Sequence, residues 1–254
     1  MNKYPIYIIS KGRYENPITA KEFESIGVDY LIAVEPQERE QYEKQLGEHR
    51  VLTLPFSNLG LGSYPARNFC WEHAKSNGHK YHWIFDDNIH GFDKWIDKRK
   101  TRIRNDIKPL LYVEQYTDKH NIDINGFEYD TFVATIPKRP FKHNCHVYSA
   151  LLIKNDLPYR WRLKYNEDVD LCLQVLHNGG TTASCIYYMI NKVSTTQKMK
   201  GGNQTELYQN NAKEKKVLKA KMLEAVWPQY AKTVIRFNRP HHFVDWKIFK
   251  KNNK

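Results

Sequence analysis

The sequence lacks any apolar segment that approaches the ~20 residues needed to cross a membrane. Its opening stretch, MNKYPIYIIS, also lacks the longer apolar region of a signal peptide. Cysteine is scarce: the four cysteines in 254 residues stand far apart and form no CxxC pair, so zinc-finger spacing is absent and a disulfide framework is not expected. We therefore expect a soluble, cytoplasmic protein with reduced thiols.

Motifs of several common enzyme classes are missing as well. The sequence contains no GxxxxGK[ST], GxGxxG, HExxH or GxSxG pattern. The run LGLGS, residues 59–63, is only a weak glycine match and is expected to be a loop. The enzyme classes that these motifs mark therefore do not fit the sequence.

Positive charge, by contrast, is abundant. Lysine and arginine number 40 against 28 aspartates and glutamates, which gives a formal net charge of +12. Such an excess favours a polyanionic partner, most commonly nucleic acid, although general solubility explains it equally well. Two basic clusters stand out, one at residues 98–108 and one at residues 138–143.

Hydrophobic patterning predicts an α/β fold. Four strand-like runs, PIYIIS, VDYLIAV, HRVLTLP and YHWIFD, alternate with three helical patterns up to residue 88. This β-α-β-α-β-α-β order indicates an open parallel sheet covered by helices. Asn16 and Asn166 are predicted to cap two helices, and Gln204–Val226 is predicted to be a basic surface helix. Residues 91–145 are less regular.

Two adjacent carboxylates and an amide, Asp86, Asp87 and Asn88, follow the fourth apolar run directly. In open parallel sheets, ligands bind at the carboxyl ends of the strands. A tight cluster of oxygen ligands suits Mg²⁺ or Mn²⁺, which usually also takes phosphate oxygens from a substrate. An ordinary turn or helix cap is the alternative explanation of this tripeptide.

A second acidic pair, Glu167 and Asp168, begins a predicted helix. A carboxylate there is suited to act as a general base, while the alternative is a favourable interaction with the helix dipole. Polar residues also follow the first two strands at the same rim of the sheet. Arg67 and Asn68 precede the fourth strand and either reach a nucleotide or form a surface pair. The rim residues are Ser10, Lys11, Arg13 and Glu35.

These features together resemble a GT-A glycosyltransferase: FDDN ends a strand, and NEDVDL opens a helix about 80 residues later. SKGR after the first strand, the YPARN helix and the late RPHHFVDW resemble, more narrowly, the TET-associated glycosyltransferases. Those phage and prokaryotic enzymes are proposed to glycosylate hydroxymethylated pyrimidines in DNA. The resemblance covers about residues 4–246.

The resemblance implies a GT-A-like single domain, with a Rossmann-like nucleotide-binding half and a mixed central sheet flanked by helices. Residues 1–203 would form the catalytic domain, with 1–90 binding the sugar nucleotide and 91–203 the acceptor. Residues 204–254 would add a C-terminal helix and a basic aromatic tail packed on the same domain. The donor would be a UDP-sugar, UDP-glucose or UDP-GlcNAc, used with Mn²⁺ or Mg²⁺.

The resemblance also implies roles for individual residues. Asp168, beside Glu167, would be the base of an inverting reaction. The metal and sugar-nucleotide motif, usually written DxD, would here end in Asn88, so that any of its three residues is a candidate metal ligand. His241 or His242 would complete the metal site, with a polar turn as the alternative. The nucleotide pocket would be lined by Ser10, Lys11, Arg13, Glu35, Arg67, Asn68 and Asp86.

The expected reaction is transfer of a sugar to the hydroxymethyl group of 5-hydroxymethylcytosine in DNA, in the host cytoplasm if a phage encodes the chain. Two alternatives remain: a glycan, lipid or protein acceptor, and a nucleic-acid-binding module without catalysis. The basic clusters would hold the DNA backbone, with ordinary solvated basic faces as the alternative. Trp161, Tyr165 or the aromatic residues of the tail would stack on bases or wedge between them, unless they belong to the core.

Overall fold

The structure, a computed structural model, describes residues 2–193, 201–202 and 212–250. Its strands are β1 Ile6–Ile9, β2 Leu31–Val34, β3 Val51–Thr53, β4 Tyr81–Asp86, β5 Ile89–Ile96, β6 Arg99–Ile103, β7 Ile124–Tyr129, β8 Phe141–His143, β9 Ala150–Lys154, β10 Ala183–Lys192, β11 Ala231–Arg236 and β12 Arg239–Val244. Its helices are α1 Ile18–Ser25, α2 Arg39–Leu46, α3 Tyr64–Ser76, α4 Lys108–His120, α5 Glu167–His177 and α6 Ala212–Val226. Short 3₁₀ helices lie at Pro36–Glu38, Glu48–Arg50, Asp130–Phe132 and Ile248–Lys250.

The four apolar runs near the N-terminus form the parallel strands predicted for them. Their order in the sheet is β3-β2-β1-β4, and every neighbouring pair is parallel. Apart from the half-buried Ile9, the apolar residues of β1 and β4 are buried, as expected for strands covered by helices on both faces. The carboxyl ends of these strands therefore meet at one edge of the sheet.

The second half of the chain extends the same sheet in mixed directions. β9 runs antiparallel between β4 and β7, and β10 then pairs parallel with β7 and antiparallel with β5 and β8. The irregular basic stretch after Ile89 forms the β5–β6 hairpin, with β6 at the edge of the sheet. The predicted α/β class, with a mixed sheet flanked by helices, is confirmed.

The C-terminal elements pack on α5. Leu223 and Trp227 share an apolar cluster with Leu173 of α5 and Val244 of β12. β11 and β12 form a separate antiparallel hairpin that also contacts α6. Of the helix predicted at 204–226, residues 212–226 are helical, and residues 204–211 lie outside the described part of the chain.

The predicted cap at Asn16 is wrong, and Asn166 has the predicted position without capping through its side chain. Pro17, not Asn16, occupies the N-cap position of α1. Asn166 does occupy the N-cap position of α5, but its backbone is left-handed (φ 56°) and its side chain bonds no backbone N–H of the helix. Instead, the Asn166 amide donates a hydrogen bond to the carbonyl of Lys219 in α6, at 2.7 Å. Tertiary contact with α6 therefore replaces local capping.

All four cysteines are buried thiols that form no disulfide. Among the described helices, none combines the length and the apolar character that a bilayer crossing requires.

Candidate active site

A cavity of about 860 Å³ opens at the carboxyl ends of the parallel strands. The end of β4, the start of α5 and the end of β10 all contribute to its wall, with Asp86, Asp168 and Lys192 respectively. Because β9 runs antiparallel to β4, its beginning lies beside the end of β4, which brings Ser149 to the same place. The volume is within the range of ~300–1,000 Å³ typical of small-molecule sites.

Asp86, the last residue of β4, is held by three polar side chains. Its Oδ1 accepts a hydrogen bond from Arg67 Nη2 at 2.8 Å, and its Oδ2 accepts from Ser149 Oγ at 2.7 Å and Lys192 Nζ at 2.6 Å. Burial alone would raise the pKa of Asp86, but the charges of Lys192 and Arg67 outweigh that effect and hold it well below its usual range. Asp86 is therefore a carboxylate fixed between two cations.

Lys192 binds more than Asp86. Its ammonium also donates to Ser149 Oγ at 2.6 Å and approaches the Tyr129 hydroxyl at 3.5 Å. Burial works against the charged form, but the adjacent carboxylate of Asp86 raises the pKa of Lys192 above its ordinary value. A charged lysine thus lies in the wall of the cavity and is hydrogen-bonded to Asp86, the first carboxylate of the Asp-Asp-Asn motif.

Asp87 is buried and paired with the loop after β1. Its Oδ1 forms an ion pair with Arg13, and its Oδ2 accepts from Ser10 Oγ at 2.6 Å. The Tyr42 hydroxyl of α2 contacts Ser10 Oγ at 2.6 Å and accepts from the Arg13 backbone N–H at 3.1 Å. Both oxygens of Asp87 therefore tie β4 to the β1–α1 loop.

The Asp-Asp-Asn motif in this arrangement does not fit a divalent cation. The oxygens of Asp86 and Asp87 already accept hydrogen bonds, mostly from cationic groups, and the described residues include no cluster of three histidine, cysteine, aspartate or glutamate side chains suited to a metal. Asn88 Oδ1, which is buried without a hydrogen-bond partner, is one neutral acceptor. A cation would have to displace Lys192 or an arginine, so the metal role predicted for Asp86, Asp87, Asn88 and His242 gains no support from this geometry.

Arg67 connects the two acidic motifs. Its guanidinium bonds Asp86 through Nη2, while Nε lies 3.7 Å from the Glu167 carboxylate and bonds Ser63 Oγ at 3.1 Å. It also stacks on the buried ring of Trp161, 4.7 Å from the ring centroid. Nη1 is buried and has no hydrogen-bond partner, so one donor of this guanidinium is unused.

Glu167 and Asp168 differ in what they bind. Glu167 Oε1 accepts from Ser63 Oγ at 2.8 Å, in addition to its ion pair with Arg67. Asp168 accepts a hydrogen bond on Oδ1 from the backbone N–H of Val169, at 2.8 Å. Burial, and next the charge of Glu167, raise the pKa of Asp168 to about 7. Asp168 therefore lines the cavity as a carboxylate that takes up a proton near neutral pH.

Of the other predicted nucleotide-pocket residues, Lys11 and Glu35 line the cavity, whereas Asn68 does not. Lys11 Nζ donates to Glu35 Oε1 at 3.0 Å. Asn68 uses both ends of its amide on the backbone of Trp161: Nδ2 donates to the carbonyl at 2.8 Å, and Oδ1 accepts from the N–H at 3.0 Å. It fastens α3 to the segment before α5.

The other predicted residues fall into two groups. His241, His242, Tyr165 and Lys142 line the cavity, and burial lowers the pKa of His242 to about 4, so that its imidazole is neutral. Trp161 is 1% exposed and belongs to the apolar core, so it is unable to stack on a ligand. No residue of the basic cluster at 98–108 lines the cavity, because that cluster lies on the β5–β6 hairpin and the segment that follows it.

The ionisable residues in the wall leave a small positive excess. Among the residues that the structure describes, eight basic ones line the cavity: Lys11, Arg13, Arg67, Lys142, Lys164, Lys192, Lys219 and Arg236. Six acidic residues of the same described part of the chain line it: Glu35, Asp86, Asp87, Glu128, Glu167 and Asp168. With every carboxyl group ionised, the wall thus carries a net charge of +2.

Residues 4–202 match the family model described as TET-Associated Glycosyltransferase. The chain belongs to this family. It is also similar to a solved structure from Desulfovibrio desulfuricans G20 described as a nucleotide-diphospho-sugar transferase, with 12% sequence identity, a TM-score of 0.38, and coverage of 67% of this chain and 75% of that one. A likeness this weak supports no further argument. A search of curated proteins finds no match.

Family membership makes this chain a glycosyltransferase, which confirms the enzyme class expected from the sequence. The matched residues include both acidic motifs and all of β10. The C-terminal part of this TET-associated glycosyltransferase, with α6 and the β11–β12 hairpin, lies beyond the match, although Arg236, Phe237, His241 and His242 of the hairpin line the cavity.

Sequence reasoning missed two residues that hold Asp86. Ser149 and Lys192 lie 63 and 106 positions from Asp86 in the chain, and no local pattern connects them with it. Ser149 has a left-handed backbone (φ 59°) just before β9, which a sequence reader has no means to foresee. Lys192 is the last residue of a strand-like run, and its position at a strand end was the one signal that it could lie near the cavity.

Proposed function

We propose that this glycosyltransferase moves a sugar from a UDP-sugar to the hydroxymethyl group of a modified pyrimidine in DNA, 5-hydroxymethylcytosine being the expected base. The observation that carries the proposal is the presence of Asp168 in the same cavity as Asp86, Arg67 and Lys192. A base for an acceptor hydroxyl and cations for a diphosphate are the two requirements of such a transfer. UDP-glucose and UDP-GlcNAc are the donors to test first.

The donor half of the reaction uses cations that the protein already holds in place. Arg67 lines the cavity, and its contacts with Asp86 and Trp161 prevent it from turning away, so its positive charge is fixed beside the diphosphate. As the bond between the anomeric carbon and the diphosphate oxygen breaks, its electron pair leaves with UDP. Fixed positive groups stabilise that developing charge without reorganising.

The acceptor half uses Asp168. The hydroxymethyl oxygen attacks the anomeric carbon, and its proton passes to the Asp168 carboxylate as the new carbon–oxygen bond forms. A pKa of about 7 makes Asp168 a stronger base than an ordinary carboxylate while still leaving much of it ionised near neutral pH. We assign Glu167 a positioning role, because its carboxylate is bound by Ser63 and Arg67.

Charge supports DNA as the acceptor. The chain carries a formal net charge of +12, and lysines at positions 142, 164 and 219 line the cavity. These cations suit the phosphates on either side of a target base. A DNA acceptor in turn implies a cytoplasmic protein, in the host cytoplasm if a phage encodes the chain. The alternative of a non-catalytic binding module loses its basis with the family assignment.

Intact-mass analysis of hydroxymethylated oligonucleotides tests the proposal. Wild-type protein with each UDP-sugar is expected to add the mass of one sugar to hydroxymethylated DNA and none to DNA with unmodified cytosine. Asp168→Asn is expected to abolish the mass gain, whereas Asp156→Asn, a matched change at an exposed carboxylate, is expected to preserve it. UDP-sugar hydrolysis without any mass gain on DNA would instead indicate a glycan or protein acceptor.

A further inference from the structure

The turn that joins β11 to β12 has an unusual residue at its tip. Arg236 pairs with Arg239, so Phe237 and Asn238 form a two-residue turn, and both have left-handed backbones, with φ of 52° and 55°. Such turns favour asparagine or glycine at both positions, because other side chains are strained there. Asn238 meets this requirement and Phe237 does not.

Packing does not compensate for the strain at Phe237. Its side chain is 87% exposed, and its described ring contact is an edge-on approach to His241 with centroids 6.5 Å apart. A large apolar residue is thus held in water in a backbone conformation that disfavours it. Departures from local sequence rules that bring no structural gain are expected at functional positions.

The flanks of this turn also carry unbalanced charge. Arg236 and Arg239 lie directly opposite each other in the hairpin, an arrangement that destabilises a strand pair through like-charge repulsion. Residues 231–244 contain one further cation, Lys232, and no aspartate or glutamate. A polyanion that bound both arginines would remove this repulsion.

The hairpin is also fixed in place relative to Asp168. Ala231 and Val244, at the base of the hairpin, are buried in one apolar cluster with Val169 and Leu173 of α5, the helix that Asp168 helps to begin. At the other end, Arg236 and Phe237 line the same cavity as Asp168. The aromatic tip is therefore held at the cavity wall by a packed base.

We propose that the β11–β12 turn is a wedge for duplex DNA. Phe237 enters the stack beside the target base, Arg236 and Arg239 bind the flanking phosphates, and the displaced base turns into the cavity toward Asp168. An enzyme that modifies a base within a duplex commonly rotates it out of the stack, and an inserted apolar side chain occupies the space left behind. The nature of the acceptor rests on the proposed function, whereas insertion into the duplex is tested independently of it.

The test uses a duplex oligonucleotide with 2-aminopurine next to 5-hydroxymethylcytosine, without any sugar donor. Wild-type protein is expected to raise the 2-aminopurine fluorescence, because the probe loses its stacked neighbour. Phe237→Asn is expected to abolish the rise, and since asparagine accepts a left-handed backbone, its melting temperature should not fall. Ile235→Ala is the matched control: Ile235 is 72% exposed on the same hairpin but does not line the cavity, and this variant should behave like wild type.

A second measurement compares sugar transfer to duplex and to single-stranded DNA. Phe237→Asn is expected to lower the duplex-to-single-strand ratio of transfer rates by about 5-fold to 150-fold, the effect of losing one base–aromatic stack. Transfer by wild type without a fluorescence rise would overturn the wedge and leave the proposed function standing. A rise that depends on Phe237, without transfer under any donor, would support the wedge and refute the hydroxymethyl acceptor. A rise that persists in Phe237→Asn would overturn the wedge.

Discussion

Asp168→Asn is expected to abolish turnover and to stabilise the folded protein at alkaline pH. The carboxylate must be ionised to accept the proton of the acceptor hydroxyl. With a pKa of about 7 for Asp168, about 10% of it is ionised at pH 6 and about 90% at pH 8. The wild-type kcat/KM should therefore rise by about tenfold between these two pH values.

The stability effect has the opposite direction. The folded protein holds the pKa of Asp168 above the ordinary aspartate value of 3.8, so between that value and about 7 it binds more protons than the unfolded chain does. The free energy of unfolding therefore falls as the pH rises through this window. The full difference corresponds to about 4 kcal/mol at pH 8, reduced to about 1–3 kcal/mol because Asp168 is partly exposed and screened by solvent. Asparagine removes this penalty.

Two assays check this reasoning. Initial rates of sugar transfer from pH 5.5 to 8.5 give the activity profile, and urea denaturation at pH 5 and pH 8 gives the free energies of unfolding. The variant should match wild type in stability at pH 5 more closely than at pH 8, where it should be the more stable protein. A flat activity profile, or a variant that is less stable than wild type at pH 8, would refute the assignment of Asp168 as a base with a raised pKa.

Three further outcomes are expected. Lys192→Met should lower the free energy of unfolding by about 3 kcal/mol in urea denaturation, because Asp86 loses one of its two cationic partners; an unchanged value would show that this ion pair contributes nothing. Gly202→Ala should lower the free energy of unfolding by about 1–2 kcal/mol in the same assay, since Gly202 has a φ of +67° and an added Cβ would lie 2.5 Å from Arg13 Nη2. An unchanged free energy would contradict this close approach. Treatment with EDTA should leave the transfer rate unchanged, because cationic side chains already occupy the carboxylates, whereas a loss restored by Mn²⁺ would support the sequence-based metal assignment.

The parallel half of the sheet was predictable because its signals are local. Mostly apolar runs such as Tyr81–Phe85 are typical of strands buried on both faces, and they placed Asp86 at a strand end without any tertiary information. The same reasoning brought Ser10 and Arg13 to the rim where the structure has them. Strand direction alone thus fixed the position of the cavity.

The contacts of these residues were not predictable, because they depend on long-range pairing. The antiparallel insertion of β9 and the length of β10 bring Ser149 and Lys192 to Asp86, and nothing in the local sequence specifies those pairings. Asn68 shows the converse error: next to Arg67 in sequence, it points to the Trp161 backbone because successive helical residues face different directions. Proximity in sequence was a poor guide to proximity in the cavity.

The charge balance of the cavity wall has a consequence for turnover. The described residues of the wall carry a net charge of +2 when every carboxyl group is ionised, and a UDP-sugar brings a diphosphate with about two negative charges. After transfer the departing UDP has a terminal phosphate and carries close to three, because the second pKa of such a phosphate is about 6. The same cations therefore hold the product more tightly than the donor. UDP should be a competitive inhibitor with respect to the UDP-sugar. Release of UDP, rather than bond formation, should be the rate-limiting step of turnover.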